Sequence, residues 1–169
     1  MAERAHPEDP GFRDKFFGLI KSKYKQKLYE RYNFCNDYIK GKKVVDIPCG
    51  VGWGTILLKK AAFIIGIDIS NEAIDYAKKH YEKKNRKFYV GNMQSIFLKD
   101  DSTDVVICLE GFEHISKDMG AKFIEESKRV LRTGGLLIIT CPVLDEYGKS
   151  TENPYHLYEY PEHELIEML

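Results

Sequence analysis

The run Lys43-Val44-Val45-Asp46-Ile47-Pro48-Cys49-Gly50-Val51-Gly52-Trp53-Gly54-Thr55 decides the fold. Val44, Val45 and Ile47 are the β-branched residues of a short parallel strand buried on both faces. The strand ends at an acid and breaks into three close-spaced glycines, which admit torsions and close approaches that a Cβ forbids. Ile56, Leu57 and Leu58 are then expected to open a helix. Strand, glycine loop and helix N-terminus together predict a nucleotide-binding turn at the carboxyl edge of an open α/β sheet.

The loop discriminates between ligands. A dinucleotide fingerprint has glycines at its first, third and sixth positions, whereas Gly50, Gly52 and Gly54 fall at the first, third and fifth. Asp46 would repel a pyrophosphate. A phosphate-free ligand with a cationic part fits better, and S-adenosylmethionine, with its ammonium and sulfonium, is such a ligand. Val45-Asp46-Ile47-Pro48-Cys49-Gly50-Val51-Gly52-Trp53-Gly54 resembles the first motif of class I S-adenosylmethionine-dependent methyltransferases.

Further along, Phe63-Ile64-Ile65-Gly66-Ile67-Asp68 is predicted as a second buried strand whose terminal acid lies where a ribose-binding carboxylate belongs. Asp68 would grip the ribose hydroxyls, with Ile69 beside the adenine; a helix-capping or solvated acid is the bland alternative. Ser70 caps a helix bearing Ala73, Ile74, Ala77 and Tyr81 and ending near Lys84. Its lysines fit a solvated face better than a nucleic-acid patch, because no aromatic or second basic cluster accompanies them. Lys87–Val90 is the third strand, followed by Asn92 and Met93. Where methyltransferases commonly have an acid for the adenine amino group, this chain has Asn92, whose carbonyl can accept the same bond more weakly; Met93 N–H can serve a ring nitrogen. A plain turn asparagine is the alternative.

Asp104–Leu109 is the fourth strand, leading into Glu110-Gly111-Phe112-Glu113-His114. An acid followed by Glu-His resembles a small-molecule methyltransferase subgroup. The resemblance implies that the Leu109 and Glu110 backbone lies near the methionine part of the cofactor and makes His114 an active-site candidate. A helix over 117–131 should stop at Thr133-Gly134-Gly135, and Leu136–Cys141 is the fifth strand. Leu131-Arg132-Thr133-Gly134-Gly135-Leu136-Leu137-Ile138-Ile139 is also characteristic of the family. The resemblance spans roughly residues 28–142 and implies a three-layer, Rossmann-like α/β sandwich, its mostly parallel sheet ordered 3-2-1-4-5.

Residues 1–10 should be a disordered tail, followed by one domain over 11–169: helices over 11–40, a core over 43–142 and an acceptor-side segment over 143–169. A stripe of Phe12, Phe16, Ile20, Tyr24, Leu28 and Tyr32 packs on the sheet or, alternatively, meets a membrane surface or partner. Tyr32 resembles a residue that closes the cofactor pocket in the subgroup. Asn153-Pro154-Tyr155-His156 resembles a segment beside the acceptor site. Nothing later can form the family's terminal antiparallel pair, so the chain is expected to be a truncated form that self-associates through its fifth-strand edge.

In 169 residues, Lys plus Arg and Asp plus Glu both total 26, so no global field steers the protein to nucleic acid or membrane. The N-terminus lacks a signal-like apolar core, and Cys35, Cys49, Cys108 and Cys141 lack metal spacing. A cytoplasmic protein without metal or structural disulfide is expected. The predicted activity is methyl transfer to a small molecule. Tyr32, Asp46, Pro48, Gly50, Gly52, Asp68, Ile69, Asn92, Met93, Leu109 and Glu110 would hold the cofactor, and His114, Glu110 and His156 are the candidate bases. A non-catalytic cofactor-binding domain and an NAD-dependent dehydrogenase are the alternatives.

Overall fold

A computed structural model describes residues 23–144 and 154–169. The tail over 1–10, Phe12, Phe16 and Ile20 of the stripe, and Asn153 lie outside them. The described chain runs α1 (Lys23–Cys35), β1 (Lys43–Asp46), β2 (Phe63–Asp68), α2 (Asn71–Tyr81), β3 (Arg86–Val90), β4 (Thr103–Leu109), α3 (Lys117–Val130), β5 (Leu131–Thr140) and α4 (Glu162–Met168). All strand pairs are parallel, in the order β3-β2-β1-β4-β5. This is the predicted order.

The apolar runs explain the layering. Successive residues of a strand face opposite sides, so Val45, Ile65 and Val106 pack with Phe123 and Val130 of α3 on one face. Val44, Ile64 and Val105 pack with Tyr32 and Cys35 of α1 on the other. Ser70 and Ser116 cap α2 and α3 by accepting from Ala73 N and Met119 N. Arg129 of α3 donates to the carbonyls of Ile96 and Leu98 at 2.7 and 2.9 Å, which ties down the loop after β3.

Several boundaries differ from the sequence reading. The helix expected from Ile56 is only a 3-10 turn over Thr55–Leu57. Few residues separate Gly54 from Phe63, and Asn36 holds this short return by donating to Leu57 O (2.8 Å) and accepting from Lys60 N (3.1 Å). α2 stops at Tyr81 rather than near Lys84, because Lys83 and Arg86 pair across the turn into β3. The Thr133-Gly134-Gly135 stop is not a helix cap: α3 passes directly into β5 at Leu131, which pairs with Thr103, and an irregularity then takes up the glycines before Leu136 pairs with Val105.

β5 lies at the sheet edge, and its residues 135–140 are half-buried. The final helix, α4, is partly covered. Leu165 and Met168 pack against the main core, whereas Ile166 and Leu169 are exposed. Tyr160, fully buried, stacks on Phe112 at 4.8 Å and anchors this end, and Val143 bridges to it in parallel.

Candidate active site

The loops after β1, β2, β3 and β4 converge on one cleft of about 330 Å³ at the carboxyl edge of the sheet. Of the residues singled out in the sequence, Tyr32, Pro48, Gly50, Asp68, Ile69, Asn92, Met93, Leu109, Glu110 and His114 line it. Asp46 and Gly52 sit behind the lining, and His156 flanks it.

Asp46 is fully buried at the end of β1. Its carboxylate accepts from Thr55 Oγ1 at 2.5 Å and from the Tyr32 hydroxyl at 3.3 and 3.4 Å. Burial pushes its pKa up to about 7, against the two hydroxyl donors, which pull it down. The Tyr32 hydroxyl is held well above its ordinary range by burial and then by Asp46, so it stays a donor. Thr55 is the partner that sequence reading missed; a threonine just past a glycine loop gives little signal by itself. Gly54 makes room for the arrangement, since a Cβ there would lie 2.1 Å from the Tyr32 ring. Gly52 has φ +79°, where a side chain is strained.

Asp68, at the end of β2, accepts from Gly50 N at 2.8 Å and Ser70 N at 2.9 Å. It thus locks the glycine loop to the next helix, and a carboxylate has about four acceptor sites, which leaves capacity for ribose hydroxyls. Asn92 Oδ1 accepts from Gln94 N at 2.9 Å in a side-chain-stabilised turn. Its second lone pair is the one left for a ligand.

Glu110 is bound differently. Its φ is +52°, Arg31 Nη1 lies 2.7 Å from Oε2, and Thr140 Oγ1 donates to Oε1 at 3.0 Å. Both oxygens are committed to neighbours, so it orients the loop after β4 more readily than it accepts a proton. His114 Nδ1 bonds to the carbonyl of Tyr155 at 2.9 Å, which makes Nδ1 the donor and leaves Nε2 with the lone pair. The His156 ring lies 5.3 Å away, edge-on, with its Nδ1 against Glu159. Glu113, not assigned a role from sequence, is 1% exposed and belongs to this cluster. Burial raises its carboxyl pKa. Its main-chain carbonyl accepts from Leu157 N and Tyr158 N, which docks the C-terminal segment against the loop after β4.

Among the described residues the cleft lining holds Asp68 and Glu110 and no Lys or Arg, with Asp46 directly behind. Glu110 is ion-paired to Arg31, so the Asp68 carboxylate is the one that would repel a polyphosphate and attract a cationic ligand. This chemistry agrees with the comparisons. The family model described as "Methyltransferase domain" matches residues 45–139, more than half of the chain. The chain belongs to that methyltransferase family.

The family core thus runs from β1 through the glycine loop to β5, and the relatives are named accordingly. A "Probable S-adenosylmethionine-dependent methyltransferase" of Mycolicibacterium smegmatis is 32% identical over 133 residues, 76% of this chain and 50% of that protein. A "Ubiquinone biosynthesis O-methyltransferase" of Coxiella burnetii is 29% identical over 105 residues, 60% of this chain and 44% of that protein. The chain therefore spans about half the length of the curated relatives it matches. Among solved structures, the YcgJ protein of Bacillus subtilis superposes with a TM-score of 0.71 at 22% identity, covering 83% of this chain and 66% of that one. The cyclase SpnF gives 0.74 at 22% identity, covering 88% and 58%. At such identities the likeness is one of fold, and SpnF illustrates that a fold does not dictate its reaction.

Proposed function

We propose that this domain binds S-adenosylmethionine in the cleft and transfers its methyl group to a small-molecule acceptor. The observation that carries the reading is the cleft beneath the glycine loop, lined by Asp68 and Glu110 and, among the described residues, by no Lys or Arg. Asp68 would hold the ribose hydroxyls, and Asn92 Oδ1 with Met93 N–H would serve the adenine edge. Ile69, 67% exposed on the cleft, supplies an apolar face for the base. The backbone of Gly50, Leu109 and Glu110 would flank the methionine part, with Tyr32 covering it and Asp46 supplying negative charge behind. The bound cofactor supplies an already activated methyl carbon, so the chain's task is to hold an acceptor in line and exclude water.

An acceptor hydroxyl would enter at the end of the cleft formed by His114, where His114, Glu113 and His156 are the groups able to handle its proton. Glu110, tied to Arg31 and Thr140, acts there as a positioning residue. The Coxiella relative's name, an O-methyltransferase of ubiquinone biosynthesis, supports a small molecule with an oxygen nucleophile.

Calorimetric titration with S-adenosylmethionine, its demethylated product and NAD tests the binding. Binding of the first two without NAD supports the reading; NAD alone would replace it with a dehydrogenase. Methyl transfer to a panel of hydroxylated metabolites then separates an enzyme from a non-catalytic cofactor-binding domain.

A further inference from the structure

We infer that Glu113, His114 and His156 form a binding site for one divalent transition-metal ion at the acceptor end of the cleft. One potential ligand atom from each side chain lies within 4.8 Å of the other two. Donors about 2.0–2.1 Å from a shared ion sit roughly 3.3 Å apart, so the three groups would draw together to hold one. The Glu113 carboxylate is almost wholly buried, and its Oε2 has no hydrogen-bond partner among the described residues. A buried carboxylate oxygen left without a partner costs free energy, and a bound cation removes that cost.

The tautomers support the same assignment. His114 Nδ1 is engaged by the Tyr155 carbonyl and His156 Nδ1 by the Glu159 carboxylate. With His114 Nδ1 donating to that carbonyl, His114 Nε2 carries the lone pair. Metal-ligating histidines are held in this way, with the second nitrogen donating to a carbonyl or carboxylate that fixes the ring and raises its basicity. Two imidazoles and one carboxylate suit zinc, iron or cobalt in the divalent state, and three protein ligands leave open positions. His114 also lines the cleft, so the cluster adjoins it.

The site goes beyond methyl transfer and stands without it. Its use, holding an acceptor oxygen and lowering the pKa of that hydroxyl, rests on the methyltransferase reading. The elements involved are far apart in sequence: Glu113 and His114 follow β4, whereas His156 arrives with the docked C-terminal segment. Cysteine spacing gives no hint of them.

Titration of the metal-free protein with Co²⁺, followed by visible ligand-field absorption and by competition with Zn²⁺, tests the site. We expect one equivalent to bind. H156A and E113Q should each lose at least tenfold in affinity, E159Q should lose roughly tenfold or more through the orientation of His156, and H163A on the exposed face of α4 should bind as the parent does. Calorimetry with S-adenosylmethionine on H156A gives an independent readout, since His156 does not line the cofactor cleft. Failure of the parent protein to bind Co²⁺ or Zn²⁺ stoichiometrically overturns the site, as does equal affinity in H156A and E113Q. Loss of cofactor binding in the parent with metal binding intact would instead overturn the methyltransferase reading alone.

Discussion

The two ends of the cleft are built by opposite means. At the β1–β2 end, Asp46, Thr55, Gly50, Asp68 and Ser70 bond to one another over short stretches of chain, and every charged group is at a strand end. At the β4–β5 end, Glu110 is fixed by Arg31 from α1 and Thr140 from β5, and His114 by a carbonyl beyond the segment that follows β5. The first end is a local motif that can be carried from one sequence to another. The second is assembled from remote pieces, which is where a shared scaffold acquires its own acceptor. Disturbing the first end should therefore affect stability and cofactor affinity, and disturbing the second should affect acceptor chemistry.

The largest effect should come from Gly54→Ala. A Cβ 2.1 Å from the buried Tyr32 ring must displace that ring, break its bond to Asp46 and open the cover of the cleft. Overpacking of this kind costs about 3 kcal/mol, measurable by urea denaturation, together with weakened cofactor binding. An unaltered midpoint and affinity would show that Tyr32 is not wedged against the loop. Asp68→Ala comes next. It removes the predicted ribose bonds and should weaken S-adenosylmethionine by about 2–3 kcal/mol. Because Asp68 also holds Gly50 N and Ser70 N, Asp68→Asn serves as the companion variant: retained folding with lost affinity sharpens the assignment, and unchanged affinity in both moves the ribose elsewhere.

How much was legible follows the same division. The strands were readable because buried parallel strands are continuous β-branched runs, and the strand-end acids stood at fixed distances from the glycines. Strand order came with the family resemblance, not with any residue pattern. The helix after Gly54 was misjudged because Ile56-Leu57-Leu58 has helical composition; Asn36, in another element, makes the chain turn back early. The glycine pair at Gly134-Gly135 resembled a helix stop, yet pairing of Leu131 with Thr103 draws it into β5. Glu113, Arg31 and Thr140 could not be placed from sequence, since their roles depend on which remote segments meet at the end of β4. Asp46, in contrast, stood out in the sequence as a strand-end acid, although its hydroxyl partners Tyr32 and Thr55 did not.

A smaller effect concerns pH. The folded-state pKa of Asp46, about 7, lies above its ordinary value, so the folded protein binds a proton more tightly than the unfolded chain does. The protonated carboxyl thus contributes stability that is fully present below the unfolded value near 4 and is lost as pH rises to about 7. A cationic ligand reverses the preference, because it favours the carboxylate. Affinity for S-adenosylmethionine should rise with pH toward 7, by up to tenfold per unit or about 1.4 kcal/mol. Asp46→Asn should flatten both profiles, in thermal melts and in calorimetry between pH 5 and 7. A pH-independent affinity in the parent protein would separate Asp46 from the cationic part of the ligand.

The smallest effect is expected at Asn92, where the two candidate roles of one side chain can be told apart. Its Oδ1 already accepts from Gln94 N at 2.9 Å, so a turn is part of its work. Aspartate can keep that turn, because a carboxylate oxygen accepts the same bond. If the other lone pair also receives the adenine amino group, Asn92→Asp replaces a neutral acceptor by a charged one and should hold or tighten cofactor binding, by about 1 kcal/mol at most on the scale by which charge-assisted bonds exceed neutral ones. Asn92→Ala removes both roles and should weaken it. Calorimetry on the two variants, with unfolding midpoints to report the turn, distinguishes the cases. Weaker binding by a stable Asn92→Asp protein would mean that Asn92 donates through Nδ2 or faces away, and recognition of the base would then pass to Met93 N–H and the apolar face of Ile69.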